Sequence, residues 1–262
     1  DPPVITTSVA VTDALCNGDC NGAIDLTAGG GTGVLTFLWD NAATSEDISA
    51  LCAGPYNVTV TDANGCTAND GGTVNEPAAI VLTPSGNDEI CSQSNGDVSV
   101  TAVGGTVAVD YTYAWTDGGG APVGATATVT GLAAGTYTVI VTDDNGCTGR
   151  DSLVVSIHDL PSVNAGADET ICIGDSVHLN ATGATSYVWD ANPTLSELGV
   201  ADPWATPTTL TEYFVTGTDD NGCVNRDSVN VSTLGLPSID AGEDDAICIG
   251  GSVELFATGG LP

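Results

Sequence analysis

Nine cysteines, at positions 16, 20, 52, 66, 91, 147, 172, 223 and 248, are the residues of this 262-residue chain best suited to covalent chemistry. Spread through a sequence rich in Thr, Gly, Val and Asp, they point to disulfides made in an oxidising, extracellular setting. A free structural or metal-binding thiol is the alternative, and the missing zinc-like spacings stand against it. Oxygen ligands are the second resource. Asp62 and Asn64, Asp143 and Asp144, and Asp219 and Asp220 crowd hard donors into three short stretches and could hold Ca²⁺. Asp-x-Asn-Gly is only a fragment of a calcium loop and lacks the downstream bidentate Glu. The competing reading is therefore a solvated hairpin whose Asp caps its own turn.

Charge removes several function classes. Thirty-four acidic residues face two basic ones, Arg150 and Arg226, for a net charge of −32. Such a chain cannot neutralise phosphates, which makes nucleic acid and anionic membrane surfaces poor partners. The absence of lysine excludes a Schiff base, a P-loop and a lysine–asparagine isopeptide clasp. With 42% hydrophobic and 14% charged residues the chain should nevertheless fold. No apolar run approaches the roughly 18 to 20 residues of a membrane span. Asp1-Pro2-Pro3 lacks the start of a signal peptide, so the sequence reads as a segment of something longer.

The elements that carry these residues recur. Thr61-Asp62-Ala63-Asn64-Gly65-Cys66 returns as Thr142-Asp143-Asp144-Asn145-Gly146-Cys147 and as Thr218-Asp219-Asp220-Asn221-Gly222-Cys223. Ahead of each lies an alternating segment with a tyrosine (Tyr56, Tyr137, Tyr213), before it a tryptophan (Trp39, Trp115, Trp189), and before that a cysteine (Cys16, Cys91, Cys172). The first cysteines fall 75, 81 and 76 residues apart, counting to Cys248. Four units follow: residues 1–75, 76–158 and 159–235, and the opening strands of a fourth over 236–262. Period-two stretches such as Ser99–Val103 and Asp227–Val231, punctuated by Asn-Gly and Gly-Gly, predict strands. Each Asn-Gly predicts a type I′ hairpin turn. The expected fold class is all-β, a linear array of immunoglobulin-like sandwiches with the tryptophans and tyrosines in core or corner positions. Trp204, without a counterpart in the other units, is the aromatic expected at the surface.

Units one and two resemble the SprB-type repeat of Bacteroidota surface adhesins through Leu15-Cys16-Asn17-Gly18-Asp19-Cys20-Asn21-Gly22, Trp39 and Leu51-Cys52-Ala53-Gly54-Pro55-Tyr56. Unit three and the start of unit four are similar to PKD-like or Ig-like repeats through Ile171-Cys172-Ile173-Gly174-Asp175-Ser176-Val177 and Ile247-Cys248-Ile249-Gly250-Gly251-Ser252-Val253. The resemblance implies a long extracellular filament at the cell surface, exported by the type IX route and used in adhesion or gliding motility. Its partners would be neighbouring repeats and a surface polysaccharide or other surface ligand. The alternative is a set of carbohydrate-binding or spacer modules attached to a secreted enzyme.

Equivalence between units suggests the pairs Cys16–Cys66, Cys91–Cys147 and Cys172–Cys223, with Cys20–Cys52 as an extra bridge in unit one; connectivity itself is not fixed by sequence. Cys248 is then expected to find its partner beyond Pro262. These pairs would draw the acidic residues ahead of each first cysteine (Asp13, Asp88, Glu89, Asp168, Glu169) towards the Asp-rich turns. Ser152, Ser176 and Ser228 lie in Asp-Ser-apolar triplets similar to a Bacteroidota O-glycosylation signal. No enzyme is expected. Gly174-Asp175-Ser176 is similar to an esterase nucleophile block but lacks an Asp-x-x-His partner, and His158 and His178 have no paired ligand spacing. Gly29-Gly30-Gly31 precedes a strand and so offers a phosphate no helix N-terminus.

Overall fold

A computed structural model describes residues Pro3–Gly260, and its elements there are all strands. It divides into two compact units, one formed by Asp1–Glu89 with Gln93–Ile157, the other by Ile90–Ser92 with His158–Pro262.

The first compact unit holds two sandwiches. In the first, Gly22–Gly29 pairs antiparallel with Thr6–Thr12 on one side and Ile48–Leu51 on the other. Gly54–Thr61 stands between Thr36–Trp39 and Thr67–Val74 in the opposing sheet. Alternation explains why two sheets close: Ile24 and Leu26 of one and Trp39, Val58 and Val60 of the other point inward and are almost wholly buried. The second sandwich repeats the plan. Val81–Asn87, Gly96–Val103 and Thr128–Leu132 form one sheet, and Pro122–Gly124, Thr112–Thr116, Gly135–Thr142 and Thr148–Val155 the other. Its core gathers Val98, Val100, Trp115, Val139, Val141 and Val155.

The second compact unit is built around Val224–Leu234, which pairs antiparallel with Thr211–Thr218 and parallel with Glu169–Cys172. Ser186–Trp189 completes that sheet, and the short pair Val177–His178 and Trp204–Ala205 covers it. Trp189, Tyr213, Val215, Val229 and Val231 fill the core. Beyond Gly235 the described residues are all exposed, with one small ladder, Ile239–Asp240 against Thr258–Gly259.

The three tryptophans occupy equivalent core positions and satisfy the indole N–H in the same way. Trp39, Trp115 and Trp189 donate to the carbonyls of Ser45, Thr126 and Val200 at 3.0, 3.1 and 3.0 Å. Tyr56 and Tyr137 donate their hydroxyls four residues back, to the Cys52 and Ala133 carbonyls. Tyr213 instead meets Thr194 Oγ1 at 2.6 Å.

The hairpin turns differ from the type I′ expectation. Only the glycines, Gly65, Gly146 and Gly222, adopt positive φ; Asn64, Asn145 and Asn221 do not. The Gly65 N–H donates to the Asp62 carbonyl, and the Asp62 N–H to the Cys66 carbonyl. This is a three-residue connection, a type I turn closed by a left-handed glycine. It is favoured because the Asp side chain takes up the turn's inner N–H groups, leaving the Asn in the ordinary right-handed region.

Candidate functional site

The cysteine-bearing turn is the feature in which the sequence signals converge. Asp62 Oδ1 accepts from the N–H groups of Asn64 and Cys66, both at 2.9 Å, while Oδ2 accepts from Thr32 N at 2.9 Å. Asp143 does the same with Asn145, Cys147 and Thr106 at 3.0, 2.8 and 2.7 Å. Asp219 Oδ1 takes Asn221 N and Cys223 N at 2.9 and 2.8 Å. The carboxylate thus locks the turn and presents the cysteine at its end. Gly31 and Gly105, both at positive φ, bring the neighbouring loop close enough that a Cβ on Gly105 would lie 2.5 Å from Asp143 Oδ2. The Thr32 N–H above all, with those of Cys66, Asn64 and Gly65, holds the Asp62 carboxyl below its ordinary pKa, against the opposing push of burial. The Thr106 N–H leads the same set at Asp143.

Cys20–Cys52 forms as expected, whereas the other disulfides differ from the pairing expected by equivalence. Cys16 bonds Cys147, Cys91 bonds Cys223, and Cys20 bonds Cys52. Cys66, Cys172 and Cys248 carry free thiols. Strand geometry gives the reason. Ala14 N donates to the Asn75 carbonyl, so Cys16 lies where the strand Thr67–Val74 ends, whereas Cys66 lies where it begins. Eight residues at about 3.3 Å each put roughly 25 Å between those ends. The same separation holds elsewhere. Cys91 N donates to the His158 carbonyl, beyond the end of Thr148–Val155, and Cys147 precedes that strand. Cys172 pairs with Leu234, at the far end of the strand that starts after Cys223. A first cysteine therefore reaches the turn of the following repeat and not its own.

The Cys16–Cys147 bridge is embedded in a polar junction. The Leu15 carbonyl accepts from Asn145 Nδ2 at 3.1 Å, and Glu76 accepts from Asn17 Nδ2 and Gly18 N at 2.9 and 2.7 Å. Around the bridge, Asn17, Pro77, Ala78, Ala79, Ile80, Gly105 and Thr148 line a cleft of about 360 Å³.

The expected convergence of carboxylates fails for the same geometric reason. Asp13 and Asp88 cap the last strand of their own repeat and Asp168 binds within it, accepting from the N–H groups of Asn75, Ser156 and Asn230 at 2.8, 2.9 and 2.9 Å. Asp144 Oδ2 accepts from Ala108 N and Val109 N. Among the described residues no three His, Cys, Asp or Glu side chains are placed to hold a metal ion. Asn64 and Asp220 are exposed beside their turns.

Ser152 lies exposed on Thr148–Val155, and Ser176 is exposed in the turn leading into Val177–His178. Ser228 is half-buried and donates to Glu212 Oε1 at 2.9 Å. Trp204 is 51% exposed and stacks on His178 with ring centroids 4.7 Å apart; His178 Nε2 lies 3.6 Å from Asp202 Oδ2. Sequence reasoning did not link these three residues, because the cross-strand pair of His178 and Trp204 arises from the register of two short strands far apart in sequence.

Comparison with known proteins bears on the cysteine-bearing array. Similar folds include Sidekick-1 immunoglobulin domains 1–5 (13% identity, 90% of this chain and 60% of that one, TM-score 0.34). The N-terminal eight immunoglobulin domains of Down syndrome cell adhesion molecule match at 16% identity over 92% of this chain and 36% of that one, TM-score 0.38. A structure described as concerning host cell surface retention of a 1.5-MDa bacterial ice-binding adhesin matches at 14% identity over 89% of this chain and 99% of that one, TM-score 0.41. The chain spans 60% and 36% of the first two chains. No curated protein matches it. Residues 8–44, which include the first cysteine loop and Trp39, match the model of the SprB repeat family, and they lie in the first of the all-β sandwiches.

Proposed function

We propose that the chain is a structural and adhesive stretch of a long extracellular cell-surface filament, comprising three sandwiches and the opening of a fourth, with a role in surface adhesion and gliding. The carrying observation is the Cys16–Cys147 bridge within an SprB-type array, which joins one repeat to the next where a lone domain would close upon itself. A covalent tie at that position resists extension, as a filament under surface load requires. The net charge of −32 keeps neighbouring strand edges apart by self-repulsion. Antibody labelling and protease shaving of intact cells, paired with attachment and movement assays on cells lacking this region, test the reading. External epitopes and lost attachment are the expected results. An intracellular epitope, or unchanged attachment and movement, would overturn it.

A second reading, carbohydrate-binding modules on a secreted enzyme, draws on Trp204 and His178, whose stacked and partly exposed rings offer a sugar an apolar face beside the Asp202 carboxylate. Trp204→Ala should abolish binding to surface polysaccharide if this reading holds and leave it unaltered if it does not.

A further inference from the structure

We infer that Cys66 and Cys172 are the two open halves of a disulfide relay in which the first cysteine of every repeat bonds the turn cysteine of the next, so that consecutive repeats are cross-linked throughout the array. Cys66 receives the cysteine of the repeat before it. Cys172 gives its sulfur to the turn of the repeat after it.

The turn at Cys66 has the carboxylate cap, the left-handed glycine and the N–H pattern of the turn at Cys147, whose bridge is formed. Beside Cys66 lies an open recess of about 280 Å³ lined by Pro3, Val4, Ile5 and Thr67. The matching wall at Cys147 is Ala78, Ala79, Ile80 and Thr148. The alignment is fixed by backbone: a Cβ on Gly30 would strike the Val4 carbonyl, as one on Gly104 would strike that of Ala79, each at 2.0 Å. The cleft at Cys147 is completed by Cys16, Asn17 and Asp19 of the preceding repeat. Sequence supplies a further contact. Asn64 stands where Asn145 binds the Leu15 carbonyl. The occupant is thus a cysteine loop of the Leu-Cys-Asn-Gly type.

The donor half is equally repeated. Asp19 N donates to the Cys16 carbonyl at 3.1 Å, and Asp175 N to that of Cys172 at 3.0 Å. Cys172 therefore sits in the turn that Cys16 uses to reach Cys147.

Each bridge forms by thiol–disulfide exchange. Two cysteine thiols lose two protons and two electrons to a protein disulfide oxidant, which leaves as a dithiol. The inference rests on the reading that repeats continue on both sides, but not on adhesion.

The full-length surface protein tests it. It is alkylated without reductant, digested and mapped as non-reduced peptides, using mixed light and heavy isotope cultures. Cys66 should appear only joined to a first cysteine, Cys172 only joined to a turn cysteine, both without light–heavy hybrids. Alkylated Cys66 or Cys172, a Cys16–Cys66 or Cys172–Cys223 peptide, or hybrid cross-links between chains would each overturn the relay. The linkage is read independently of attachment, so its failure leaves the adhesive reading standing, and loss of attachment leaves the linkage standing.

Discussion

The turns at Cys66 and Cys147 share the Asp-x-Asn-Gly-Cys sequence and the hydrogen bonds of its first carboxylate, yet one ends in an exposed thiol and the other in a bridge. The difference in bonding follows from what stands opposite each turn. Local chemistry makes the turn, with the Asp carboxylate, the left-handed glycine and the adjoining loop all supplied within one repeat. Bonding is decided by the repeat before it, which brings Cys16 to Cys147. The unit of folding is the sandwich, whereas the unit of covalent structure is the junction between sandwiches.

Breaking the bridge gives the largest expected effect. Cys16→Ser with Cys147→Ser removes a tie with a sequence separation of 131 residues, worth at most about 5 kcal/mol on the chain-entropy model. Each sandwich retains its own core, so the loss should appear as a lower urea midpoint and a less cooperative transition. Coincident unfolding curves for the variant and the parent would show that the junction adds nothing to stability.

The sandwiches themselves were legible in the sequence. Trp39, Trp115 and Trp189 mark the cores because an aromatic recurring once per repeat inside alternating strands has nowhere else to go. The cysteine partners were not legible by equivalence, since closure within a repeat and a shift by one repeat give the same order of residues along the chain. The available signal was length. A strand of eight residues separates Cys66 from the strand end beside which Cys16 lies, too far for any disulfide. The carboxylates were legible as turn caps at Asp62 and Asp143, but their bonds to the last strand, Asp13 to Asn75 and Asp168 to Asn230, depend on long-range register that no local pattern carries.

Crowding at the two turns is unequal, and this gives the next effect. Gly105→Ala must place a methyl group against Asp143 Oδ2 at positive φ, whereas the same change at Gly31 meets Ile5 Cγ1 at 3.0 Å and the Asp62 Cβ at 3.1 Å. A left-handed alanine costs about 1–2 kcal/mol by itself. Gly105→Ala should cost more than Gly31→Ala, and thermal unfolding of the two variants decides the order; the reverse order would place the tighter loop at Cys66.

Acid acts on both turns alike. Asp62 and Asp143 have folded pKa values held below the ordinary carboxylate value, led by the Thr32 and Thr106 N–H groups. The unfolded chain therefore takes up protons first as pH falls, so these groups stabilise the fold above the unfolded carboxylate pKa and lose that contribution as pH drops through the folded one. Melting temperature should decline from about pH 5 downwards, the region of ordinary carboxylate titration, and the Asp62→Asn and Asp143→Asn variants should show a shallower decline. Parallel slopes for parent and variants would remove these carboxylates as the source.

The smallest effect is expected at Cys66 itself. In the 262-residue chain its thiol is exposed and unbonded, and surface substitutions of that kind stay within about 0.5 kcal/mol. Cys66→Ser should therefore leave the urea midpoint unchanged, while a thiol reagent labels native Cys66 and spares Cys147. A loss comparable to that of the Cys16–Cys147 bridge would mean that the thiol already holds its turn without a partner, and the two turns would then differ locally after all. In an array carrying a preceding repeat the same substitution should cost as much as breaking Cys16–Cys147, because Cys66 would then occupy the position of Cys147, and the contrast between the two turns would vanish.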